Sequence, residues 1–161
     1  MPTAALLLRN SYAMISVDIL GAVAEVEALG RWGYSFQVSI EATVRSAGDD
    51  PMYQTSVRAE IRNVLSLGHF EAFRDQLTTY LEGGVGSELV LGGERAPEVR
   101  LEMPSLDELA LGSSVVVVVA DSNQDPCLSL LFPLEIADLQ TALQSLDQVL
   151  ASLNIRRGET G

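Results

Sequence analysis

The chain has 161 residues, 47% of them hydrophobic, and 22 acidic residues outweigh 10 basic ones for a formal charge of −12. That length fits one domain able to bury roughly 70% of its unfolded surface, and a charged fraction of 20% argues against disorder. So acidic a chain is repelled by nucleic acid and by anionic membranes, which opposes direct binding to either, and neither is expected as a partner.

Along the chain, Ala4 to Leu8 is too short for a signal-peptide core and has no basic residue before it. Residues 1–10 are read as a loose end. From Met14 to Leu20, Ile15, Val17 and Ile19 alternate with Ser16 and Asp18, which predicts a strand. The clearest alternation runs from Tyr34 to Arg45. Phe36, Val38, Ile40, Ala42 and Val44 share one side with Tyr34, while Gln37, Ser39, Glu41 and Thr43 share the other. Gly48-Asp49-Asp50-Pro51 is a turn signal. After it Tyr53, Thr55, Val57, Ala59 and Ile61 alternate with Gln54, Ser56, Arg58, Glu60 and Arg62. The two runs read as a hairpin with one wet face.

The period then changes. Phe70, Phe73, Leu77, Tyr80 and Leu81 fall on one helical face. Ser66 or Gly68 can begin this helix, and Gly83-Gly84 can end it in the left-handed conformation. Short strands follow at Glu88–Leu91 and Val99–Met103, and Pro104–Gly112 is a loop or a single helical turn. The five valines of Ser114–Ala120 are stiff, strand-forming side chains, and their unbroken run predicts burial on both faces. Cys127–Phe132 is a further strand. Glu135–Leu153 is a helix with Ile136, Leu139, Leu143, Leu146, Val149, Leu150 and Leu153 on one stripe. Residues 154–161 are read as a frayed tail.

Strands followed by a helix, twice, predict a single α+β domain: a mostly antiparallel β-sheet with two amphipathic helices packed on one face. The two halves share this order of elements but not their sequences, so no repeat is assigned. The longest apolar run, Val115–Ala120, falls far short of the ~20 residues of a membrane-spanning helix. One cysteine, Cys127, excludes an internal disulfide, and a cytoplasmic location is the simplest expectation.

Counting also removes most catalytic chemistry. All ten basic residues are Arg; without Lys there is no Schiff-base lysine and no phosphate loop ending in Gly-Lys-Ser/Thr. His69 is the only histidine, so a multi-histidine metal site is impossible. No Gly-x-Ser-x-Gly elbow presents a serine to it. It reads instead as a polar residue near a helix start. A His69–Cys127 thiol pair is opposed by the place of Cys127 inside a strand run, where a buried structural cysteine is expected. Gly83-Gly84-Val85-Gly86 closes a helix, whereas a dinucleotide fingerprint must open one. The spacing of Asp121 and Asp125 resembles a calcium loop only at its start, since no closing Glu follows. No enzyme activity, cofactor or metal is expected.

Charge is more informative. Residues 1–81 hold 9 acids and 6 Arg, a net −3, whereas residues 82–161 hold 13 acids and 4 Arg, a net −9. Beside Glu88, the candidate partner-binding residues are Glu94, Glu98, Glu102, Asp107, Glu108, Asp121 and Asp125. Such a field can steer a basic protein partner, and it also serves plain solubility. The polar strand face of Gln37, Ser39, Glu41, Gln54, Ser56, Arg58, Glu60 and Arg62 is a second candidate interface.

In the order of its pieces the chain resembles small bacterial immunity proteins of the WapI-like and uncharacterised actinobacterial types. The likeness lies in the alternating hairpin, Gly68-His69-Phe70-Glu71-Ala72-Phe73-Arg74-Asp75-Gln76-Leu77 as a helix, and the Gly83-Gly84 stop. Ala96-Pro97-Glu98-Val99-Arg100-Leu101, the valine strand and Ile136-Ala137-Asp138-Leu139-Gln140 complete it. It covers the chain from about Tyr34 onward and carries over no binding residue. The resemblance implies a non-catalytic protein that binds and blocks a cognate toxin, and the acidic second half makes a basic toxin or nuclease the expected partner. The alternative expectation is a homo-oligomeric structural or adaptor protein, a homodimer in its simplest form.

Overall fold

A computed structural model describes residues 3–9, 13–25, 34–45, 56–92, 97–121 and 126–160. Strands β1 (Thr3–Arg9), β2 (Ala13–Glu25), β3 (Tyr34–Arg45) and β4 (Ser56–Ser66) form an antiparallel sheet in that order and lead into helix α1 (Leu67–Gly83). The pattern then recurs. Strands β5 (Ser87–Gly92), β6 (Glu98–Met103), β7 (Val115–Ala120) and β8 (Pro126–Phe132) make a second antiparallel sheet in chain order and lead into helix α3 (Ile136–Thr160). A short helix α2 (Leu106–Ala110) fills the β6–β7 connection.

The expected α+β class, with antiparallel pairing and two long helices, is what the chain forms; its strands divide between two sheets. Alternation specifies which side of a strand is buried but not which other strand it pairs with, so periodicity does not number the sheets. Thr3–Arg9, read as a loose end, is a strand whose Leu6 and Leu8 are buried. Helix α3 continues past Leu153 to Thr160. The Gly48–Pro51 turn lies outside the described residues, although β3 and β4 pair without a register shift from Ser35↔Ser66 to Arg45↔Ser56.

Inner-face residues do what their alternation predicts. Ile15, Val17, Phe36, Val38 and Ile40 of the first sheet, and Leu89, Leu91, Val99, Leu101, Val117 and Val119 of the second, are all buried. Phe70 of α1 meets Phe36 of β3 edge to face, with ring centroids 6.4 Å apart, a favoured aromatic geometry. Two glycines are required by the backbone. Gly84 caps α1 at φ 69°, giving its N–H to Tyr80 O at 2.8 Å. Gly92 sits at φ 101°, and any Cβ there would collide with the Pro97 carbonyl across the β5–β6 hairpin.

The two units exchange helices. Helix α1, continuous with the first sheet, runs beside β5 of the second; α3, continuous with the second sheet, runs beside β1 of the first; the helices also touch each other. Gln76 of α1 fastens one of these contacts, accepting from Val90 N–H at 2.9 Å and donating to Val90 C=O at 3.3 Å. An edge strand that would otherwise present bare backbone is thereby closed.

Candidate functional site

His69, the one histidine that could have served as base to a serine or thiol nucleophile, is engaged in starting α1. Its Nδ1 accepts from Ser66 N–H at 3.1 Å while Ser66 Oγ accepts from His69 N–H at 3.3 Å, a reciprocal capping box. Accepting at Nδ1 requires the neutral ring, and burial lowers the His69 pKa below its usual value. A depressed histidine pKa means the unfolded chain takes up the proton first. Stability is therefore complete above about pH 6.5 and falls as the pH drops toward the lower folded-state value. Thermal melts between roughly pH 7.5 and 5.5 should show a falling Tm. His69→Gln, which keeps an acceptor at this helix position, should flatten that trend; an unchanged slope would remove His69 as its cause.

Glu88 and two of the charged candidates, Glu98 and Glu102, lie on the second sheet, on the face turned away from the main core. Pairing builds this face in transverse rows. Glu88, Glu102, Val116 and Leu131 form one row; Val90, Arg100, Val118 and Ser129 form the next; Gly92, Glu98 and Ala120 form a third. Glu88 and Glu102 are therefore direct neighbours across β5 and β6, an arrangement of like charges that a cation must offset. Arg100 supplies it from the middle row, 3.7 Å from Glu88 and 3.9 Å from Glu98. Its Nε is nevertheless buried without a hydrogen-bond acceptor. Glu88, Glu102 and Leu131 are exposed, the last at 66%, whereas Val118 and Ala120 are buried even on this face.

Of the seven candidates, Glu98 and Glu102 share this face of β6. Asp107 and Glu108 sit apart on α2, where Ser105 Oγ caps the helix by accepting from Glu108 N–H at 3.2 Å. Asp121 follows the far end of β7. Glu94 and Asp125 lie outside the described residues. The structure thus brings together Glu88, Glu98 and Glu102 and places Asp107 and Glu108 elsewhere. Arg100 is the central residue that charge counting passed over. Its signal was local: Glu98, Arg100 and Glu102 alternate, so a strand must put all three on one side.

Glu88 also borders a cleft of about 430 Å³ between α1 and β5, with Asp75 and Thr79 on its other wall and Tyr80, Val85 and Leu89 as apolar lining. Tyr80 donates its hydroxyl to Pro104 C=O at 2.7 Å, tying α1 to the β6–α2 connection. Burial and the nearby Glu108 carboxylate both raise its pKa, so it remains a neutral donor. Two carboxylates over an apolar lining suit a cationic, partly aliphatic side chain such as Arg or Lys. Among the described residues no group of three His, Cys, Asp or Glu could hold a metal ion, and no helix is long and apolar enough to cross a membrane. The side chain of Cys127 lies outside the described set.

The wet face of the first sheet is a separate network. Arg58 of β4 reaches Glu41 of β3 at 2.6 Å and Glu60 at 3.5 Å, and Arg62 reaches Glu60 at 3.0 Å. Glu41 and Glu60 are cross-strand neighbours, so the arginines offset a like-charge pair here too. The Arg58 pKa is raised, first by its hydrogen bond to Glu41 and then by the charges of Glu41 and Glu60. Ser16 Oγ donates to Asp18 at 3.0 Å on β2.

No protein-family model matches the chain, and no curated protein matches it. Among solved structures it is similar to the plant transcriptional regulator PBF-2, with 10% identity over all of this chain and 88% of that one, at a TM-score of 0.48. A likeness of that size bears on neither fold nor function.

Proposed function

We propose that the protein is a non-catalytic binding module, an inhibitor or immunity protein whose acidic second half receives a basic partner such as a toxin or nuclease. One observation carries the reading: Glu88 belongs both to the acidic face around Arg100 and to the cleft beside α1. A partner laid across that face could pair with Glu102 and Glu88 and insert one cationic side chain toward Asp75. Exposed Leu131 and half-buried Val116 in the same row as Glu102 add the apolar contact that a protein interface needs beside its charges. Carboxylates of this kind compete with nucleic-acid phosphates for a toxin's arginines.

The test is binding of the basic protein encoded beside this gene, followed by titration calorimetry at low and high ionic strength. Binding should weaken as salt screens the charges. Glu88→Arg should weaken it by roughly tenfold or more, as expected for reversing a charge at an interface, while Glu71→Arg on α1 should leave it nearly unchanged. No binding at low salt, or equal effects of the two variants, would overturn the proposal.

A further inference from the structure

The two sheets have four edges, and three of them are blunted. Helix α3 lies along β1, and α1 lies along β5 with Gln76 clamped to Val90. Strand β8 opens with Pro126, and its pairing with β7 is interrupted by a register shift at Val119/Ala120. These are the ordinary protections of a sheet edge. Strand β4 has none of them among the described residues. It runs 11 residues without proline, glycine or register shift, and no described strand pairs with its outer side.

Its backbone also shows which groups point outward. Val64 N–H is taken by Asn63 Oδ1 at 2.8 Å and Ser66 N–H by His69 Nδ1, so the even-numbered positions face away from β3. In an antiparallel strand the alternate residues 58, 60 and 62 then offer both N–H and C=O to the free edge, and Val64 its C=O. The same positions carry Arg58, Glu60 and Arg62 in alternating sign. A guard against pairing would use charges of one sign, which repel their own copies. This pattern instead complements itself.

We propose that β4 pairs antiparallel with β4 of a second copy, joining two first sheets into one continuous eight-stranded sheet. The register that overlaps the whole strand is centred on Ile61 and sets Ser56 opposite Ser66. That register places Glu60 opposite Arg62 of the second copy and Arg62 opposite its Glu60, both at outward-facing positions that exchange backbone hydrogen bonds. Ile61 meets its own copy on the inner side, next to the cluster it already packs against. Sliding one strand by two residues either way, the nearest register that keeps the same face, sets Glu60 against Glu60 or Arg62 against Arg62, which is unfavourable. Charge and overlap thus select the same register. The pairing uses the first sheet and is independent of what binds the second.

The test is sedimentation or light scattering of the full chain across the micromolar range, read together with circular dichroism. The wild type should weigh twice its 17.3 kDa monomer mass. Glu60→Arg and Arg62→Glu should each weaken dimerisation by roughly tenfold or more, and the double variant should restore it by exchanging the pairs. A cross-link checks register without relying on those variants. In a Cys127→Ser background, Ile61→Cys should oxidise to a covalent dimer, because facing non-hydrogen-bonded residues lie about 4.5 Å apart, within disulfide reach. Asn63→Cys should not, since its own copy would lie about 13 Å away along the strand. A monomer at every concentration, a dimer indifferent to Glu60→Arg, or cross-linking at 63 rather than 61 would overturn the proposal.

Discussion

Phe70→Ala is expected to cost about 3–5 kcal/mol, the range for deleting a fully buried aromatic side chain. Phe70 has no exposed surface and sits where α1 closes over the first sheet, edge to face with Phe36. Its removal loses apolar burial and leaves a cavity, and the neighbouring strands cannot collapse into that space without breaking their pairing. Against a typical total of about 5–15 kcal/mol, a loss of that size is roughly a fifth or more of the stability. Denaturant unfolding at fixed protein concentration should show a lower midpoint with an unchanged slope. Phe70→Leu, which keeps most of the volume, should lose much less. An exposed control such as Glu82→Ala should stay within about 0.5 kcal/mol of wild type. If Phe70→Ala behaved like that control, the helix–sheet contact would not hold the first unit together.

Cutting the chain between α1 and β5, in the Gly84–Gly86 connection, should abolish cooperative folding of both pieces. Each piece keeps a four-stranded meander and the helix that follows it, so by local sequence each ought to suffice. Each helix, however, also runs beside an edge strand of the other sheet. Without α3 the first piece loses the cover of β1 and the buried Leu139, Leu146, Leu150 and Leu153. Burying each of those leucines contributes about 1.5–3 kcal/mol, so together they match the net stability of a whole domain. Fragments 1–84 and 85–161 should each melt without a sharp transition, and mixing them should restore one. A sharp, concentration-independent transition from 1–84 alone would show that the exchange is dispensable.

These two expectations rest on different amounts of sequence information. Phe70 was legible: its spacing to Phe73, Leu77 and Tyr80 marks a helix face that must be buried. The start and stop of that helix were legible too, because Ser66 and Gly84 satisfy backbone groups locally. The exchange of helices was not, since an apolar stripe states that it is buried and not against which sheet. Strand β1 was passed over for a related reason. Ala4, Leu6, Leu7 and Leu8 do not alternate cleanly, because a bulge between Ala4 and Leu6 sets the residues on either side out of phase.

The candidate site divides in the same way. Alternation alone put Glu98, Arg100 and Glu102 on one side of a strand, and counting alone left the protein one histidine, one cysteine and no lysine. It took strand pairing to set Glu88 beside Glu102. The acidic excess that composition shows as a bulk property is, in three dimensions, a face with an arginine at its centre and a cleft at its edge. Local patterns are written in side chains that repeat every two or 3.6 residues, and a reader of the sequence can follow them. Sheet membership, edge cover and the meeting of distant carboxylates depend on backbone hydrogen bonds and long-range packing, which no short window contains.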